Sequence, residues 1–139
     1  MCKGIEKNKV GKVYSFDSSS RKNGFDKIYI AYLGCIKTSK GEGIKILSWS
    51  RIWGVNRHTS GVIYIYDSTN KYIGKYNLGS SDDLPNKVEN TSLVFSNKNK
   101  IGCNSTLITK IDFSKGPPAE IFLKCKGGSG DIYSLSTTD

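Results

Sequence analysis

IKILSWSRIWGVNRHTSGVIYIYDSTNKYIGKYN, residues 44–77, decides the fold class. Three apolar runs are separated by two short polar breaks. From 44 to 53 the side chains alternate without interruption. Ile44, Ile46, Ser48, Ser50 and Ile52 face one way; Lys45, Leu47, Trp49, Arg51 and Trp53 face the other. Residues 62–66 are entirely β-branched or aromatic, which suits a pleated surface. Tyr72, Ile73 and Tyr76 form a third run. The breaks GVNRHTSG (54–61) and DSTN (67–70) are rich in Gly, Asn, Asp and Ser, which make turns. Apolar residues recur every second position, so a helix is excluded. The stretch reads as a three-stranded antiparallel meander.

The rest of the chain continues this pattern. Residues 1–9 read as a polar lead-in or tether. Strands are expected over 10–16, 25–33, 91–96, 106–113, 120–124 and 131–135. The 25–33 run is apolar on both faces, which predicts a central strand, with a short continuation at Cys35–Ile36. Asn23-Gly24 is a turn signal, and Gly116-Pro117-Pro118 is a stop. The longest polar interval, 78–90, contains Pro85 and has room for one helical turn. A Gly-x-Ile-Tyr echo at 61–64 and 130–133 is ordinary strand grammar rather than a duplication. The expectation is one all-β domain over 10–139, an antiparallel β-sandwich or small β-barrel of about eight to ten strands.

A chain of 139 residues can bury a full core without metal or disulfide support. Alanine occurs only at 31 and 119, so helix propensity is low. No apolar run approaches the length of a membrane-spanning helix, and MCKGIEKNKV does not resemble a signal peptide. The formal net charge is +9. That excess suits an acidic protein, an anionic glycan, a membrane or a nucleic acid. Almost all of it is lysine, with arginine only at 21, 51 and 57, which argues against sequence-specific nucleic-acid reading. Lysines spread evenly along a chain also serve solubility and the protection of sheet edges.

The four cysteines, Cys2, Cys35, Cys103 and Cys125, form no CxxC pair. With one histidine there is no common zinc set, so no metal is expected. Cys103 and Cys125 lie near the ends of late strands. A disulfide between them would stabilise the fold by about 3 kcal/mol on a chain-entropy argument; the competing reading is buried free thiols. Cys2 sits where a bacterial lipoprotein carries its lipid if Met1 replaces a removed leader, and that lipid would be the one route to a membrane. A cell-envelope or secreted location is slightly favoured on this basis. No Walker or dinucleotide pattern is present, and no cofactor is expected. The N-glycosylation sequons at Asn90 and Asn104 matter only in a secreted eukaryotic protein.

Candidate binding residues gather at one end of the meander. Trp49, Arg51 and Trp53 share a face and could stack on sugar rings or bases, with Arg51 supplying hydrogen bonds. They could equally form a core face. Ser48 and Ser50 interrupt the isoleucine side, and this favours the core reading for the tryptophans. Arg57 and His58 lie in the following loop. His58 could do acid–base work, because imidazole titrates near neutrality, with Asp82, Asp83 or a tyrosine as companion. Asp82–Asp83 suit turn or cap chemistry better than a shared proton.

The leading functional expectation is a monomeric, non-catalytic binding module for a protein partner, acidic by charge complementarity, with an inhibitor or immunity-type role in the same class. The alternatives are a carbohydrate-binding module using Trp49 and Trp53, and a small enzyme using His58.

Overall fold

The computed structural model describes residues 10–138. The expected lead-in over 1–9, and with it the expectation of a lipid at Cys2, lies outside the described residues. Ten strands form two antiparallel sheets. They are β1 (Val13–Asp17), β2 (Asp26–Lys37), β3 (Gly43–Trp53), β4 (His58–Asp67), β5 (Tyr72–Asn77), β6 (Lys87–Glu89), β7 (Ser92–Ser96), β8 (Ile108–Asp112), β9 (Glu120–Lys126) and β10 (Ser129–Ser136). The large sheet has the order β1-β2-β3-β4-β5-β10-β9; the small one has β6-β7-β8. Strand β6 lies against β2 and β8 against β9, so the small sheet forms the second layer of a sandwich.

The core lies between the layers. Ile44, Ile46, Ile63, Ile65, Tyr76, Ile121 and Leu123 come from the large sheet, and Leu93 and Phe95 from the small one. Phe113, just after β8, meets Tyr76 edge-to-face at 6.3 Å. The Tyr76 hydroxyl donates to the Pro118 carbonyl at 2.6 Å, so this buried phenol carries its own hydrogen bond.

The meander occurs as expected, with direct pairs such as Ile46↔Ile65 and Ile63↔Tyr76. Strand β2, however, is second from the edge and not central. Its two apolar faces have another cause. A bulge between Tyr32 and Gly34 breaks the alternation, with Gly34 at a φ of +139°. Before the bulge Ala31 packs against the core, Leu33 enters it at the bulge itself, and after it Ile36 does. Meanwhile Ile28 and Ile30 sit on the outer face beside Arg51 and Trp49.

The isoleucine face of β3, not the tryptophan face, is the core face, which corrects the reading taken from the serines. Ser50 is buried. It pairs with Gly61, and a Cβ on Gly61 would run into the Ser80 carbonyl and press on Leu84. Small residues stand there because the segment after β5 crosses the sheet at that point. That segment holds the one helical turn, a 3₁₀ turn at Ser81–Asp83 capped by Ser80, whose hydroxyl accepts from the Asp82 amide.

Cys103 and Cys125 are disulfide-bonded, and Cys35 is also in a disulfide.

Candidate functional site

The outer face of the large sheet has no second layer among the described residues. Direct cross-strand pairing fixes what it carries. Trp49 stands between Ile30 and Val62, Arg51 between Ile28 and Ser60, and Trp53 between Asp26 and His58. Strand β1 adds Tyr14 beside Ile30 and Phe16 beside Ile28, both largely exposed. The result is a patch running across four strands, with Trp49, Arg51 and Trp53 half-buried at its middle.

One end of the patch is organised by charge. Arg51 Nε donates to Asp26 Oδ1 at 3.0 Å and Nη2 to Oδ2 at 3.1 Å. The fork holds the Asp26 carboxyl below the usual carboxylate range, chiefly through hydrogen bonding from the guanidinium. The same guanidinium lies 5.1 Å from the centre of the Trp53 ring. The Trp53 ring in turn lies 5.7 Å from the His58 imidazole at a tilt of 38°. Asp26, Arg51, Trp53 and His58 therefore form one connected group. Arg57 lies apart from it, with its guanidinium 4.7 Å from the Phe25 ring, which Lys27 also approaches at 5.2 Å.

His58 begins β4 and does not sit in a loop, as the sequence suggested. The turn before it is shorter than the polar break, because Gly54 and Arg57 take left-handed conformations (φ +82° and +52°) and reverse the chain within 54–57. Its expected acidic companions are not brought to it. His58 is on the outer face, whereas the Ser80–Asp83 segment lies on the inner side, bonded to Thr59. Asp83 instead pairs with Lys100 at 2.7 Å and accepts from the Tyr133 hydroxyl at 3.4 Å.

The sequence reasoning missed the contributions of Tyr14, Phe16, Asp26, Ile28 and Ile30. The signal was present as matching alternation in β1 and β2, but register with β3 is needed to place those residues beside Trp49. A separate concavity of about 710 Å³ opens at the other end of β3. It contains none of the expected site residues, and its rim mixes Lys40 and Lys115 with Glu42 and Asp67, so it favours neither sign of charge.

The fold and this face define a two-layer, all-β domain with one aromatic, arginine-bearing sheet face. No protein-family model, curated protein or solved structure matches the chain.

Proposed function

We propose that the chain is a non-catalytic binding module that recognises a protein partner through the outer face of its large sheet. The observation that carries this reading is the continuity of Phe16, Ile28, Ile30, Trp49, Arg51 and Trp53 across three neighbouring strands. Tryptophan, tyrosine and arginine are the residue types that anchor protein interfaces, and large apolar patches on a sheet face mark interaction sites. The aliphatic side chains between the aromatics favour a protein over a sugar, because a glycan site needs hydrogen-bonding groups between its stacking rings. Sugar stacking on Trp49 and Trp53 is the second reading, supported by Arg51 lying between them on the strand. The net charge of +9 suits an acidic partner and would speed its approach.

The test is affinity capture from the source organism with the wild-type chain and with Trp49→Ala/Arg51→Ala as baits. The reading expects a protein retained by the first and lost by the second. Recovery of nothing above background, or equal recovery on both baits, would count against it. A glycan panel followed by intrinsic fluorescence tests the second reading.

A further inference from the structure

The two edges of the large sheet are treated differently. At the β9 edge, Asn97 Nδ2 donates to the Lys124 carbonyl at 2.7 Å, the Asn104 amide donates to the Cys125 carbonyl at 2.7 Å, and the Cys103–Cys125 disulfide closes over the same strand. The Lys124 amide reaches Thr109 Oγ1 at 3.4 Å. That edge is covered. Strand β1, at the other edge, is exposed at all five positions.

Its outward hydrogen-bonding groups can be assigned. The Ser18 amide donates to the Asp26 carbonyl at 2.8 Å, in the same register as Tyr14↔Ile30 and Phe16↔Ile28. Antiparallel ladders alternate, so Tyr14 and Phe16 bond inward to β2, and Val13, Ser15 and Asp17 turn their amides and carbonyls outward. No main-chain bond links these three outward residues to any other element among the described residues. An open edge of this kind is a template for another strand. The guarding charges stand at the two ends of the strand, Lys12 just before it with its ammonium 5.9 Å from the Tyr14 ring and Asp17 closing it, and the middle of the edge, Tyr14 to Phe16, carries neither charge nor proline.

We propose that this edge pairs with the β1 edge of a second copy of the chain, antiparallel about Ser15, to form a two-fold symmetric dimer. The register is self-consistent. With Ser15 opposite Ser15, Val13 faces Asp17, and all three pairs are of the hydrogen-bonded kind on both chains. Tyr14 then lies opposite Phe16 of the second copy, twice over, on the outer face. Such aromatic cross-strand pairs are favourable. Lys12 falls opposite Ser18 and Asp17 opposite Val13, so no like charges meet directly. The two outer faces become one continuous surface, which presents the Trp49 patch twice. Five-residue edges make a small interface, and two chains of +9 repel, so the dimer is weak and tightens with salt.

Sedimentation equilibrium over a wide concentration range, at low and moderate salt, tests this. The weight-average mass is expected to rise from that of one chain toward twice that value, at lower concentration when salt is added. Ser15→Pro removes an outward amide that the monomer does not use, and should weaken association by about tenfold or more. Ser15→Lys places two lysines across the two-fold axis on an exposed side chain and should leave one-chain mass. Mixing Ser15→Lys with Ser15→Glu chains should restore a dimer containing one of each. One-chain mass for the wild type throughout, association unchanged by Ser15→Lys, or failure of the mixed chains to pair would overturn the proposal. Partner capture through Trp49 and Arg51 is read separately, so either result stands without the other.

Discussion

Arg51 reaches from β3 to β2 and grips Asp26 through two parallel hydrogen bonds of 3.0 and 3.1 Å. The bond is diagonal, because the residue directly opposite Asp26 is Trp53. The aspartate thus fixes the guanidinium, and the guanidinium lies against the indole. A flexible cation becomes a rigid part of the face, the condition under which an arginine serves as an interface anchor.

This fork sets a titration. In the folded chain the Asp26 carboxyl ionises below its ordinary value of 3.8. A depressed carboxylate contributes stability above the unfolded pKa and loses it as pH falls through the folded one. Carboxyl-detected NMR should place Asp26 below the other exposed aspartates that lack such partners. In Arg51→Ala it should return toward 3.8. An unchanged midpoint would mean that the fork does not persist in solution. Arg51→Lys should fall between the wild type and the alanine variant, because an ammonium keeps the charge but cannot supply the two-pronged fork.

The crossing of segment 78–84 over β4 predicts a sharp contrast between two glycines. Gly61→Ala puts a methyl group into the Ser80 carbonyl, a main-chain atom that cannot swing aside. The variant should lose roughly 1–3 kcal/mol in urea unfolding. Gly128→Ala meets nothing within 4 Å and should be near neutral. Equal effects at both positions would displace the segment from this course.

Tyr76 links the core to alkaline behaviour. Burial pushes its phenol well above the ordinary tyrosine value, and burial with the nearby Asp83 carboxylate raises Tyr133 to about 12. A raised folded pKa means that stability is complete below the unfolded value near 10 and falls as pH rises beyond it. Unfolding midpoints should therefore decline above about pH 10. Tyr76→Phe should show a shallower decline. At neutral pH it should lose roughly 1–2 kcal/mol, because the Pro118 carbonyl loses its donor.

The Cys103–Cys125 bridge spans 22 residues and ties β9 to the loop before β8. Cys103→Ala/Cys125→Ala should cost about 3 kcal/mol on the loop-entropy estimate. Calorimetry of this variant beside the wild type, both without reductant because Cys35 is also disulfide-bonded, would show it as a lowered transition temperature. No difference would assign the bridge no part in stability.

The meander from 44 to 77 was legible because strict alternation is a local property, and local alternation survives folding. Which side of β3 is buried was not legible. Ser48 and Ser50 look like solvent positions by composition, yet Ser50 is small because a segment some thirty residues later in the chain packs there. Only the pairing of Ser50 with Gly61 exposes that requirement. Strand β2 misled for a related reason. Its run of apolar residues combines an outward pair, Ile28 and Ile30, with an inward set shifted by the bulge at Gly34. Strand β6 was hidden because three residues just after Pro85 carry too little pattern to read. For the site, Trp49, Arg51 and Trp53 could be grouped from one strand, while Asp26 and Phe16 needed inter-strand register.

The central claim is that Trp49 and Trp53 stand on an uncovered sheet face. Tryptophan emission with iodide and acrylamide as quenchers tests it most directly, with Trp49→Phe and Trp53→Phe separating the signals. Acrylamide is included because it is neutral, whereas a net charge of +9 concentrates iodide at the surface. The account predicts that both quenchers reach both indoles. Blue-shifted emission that neither quencher reduces would contradict it.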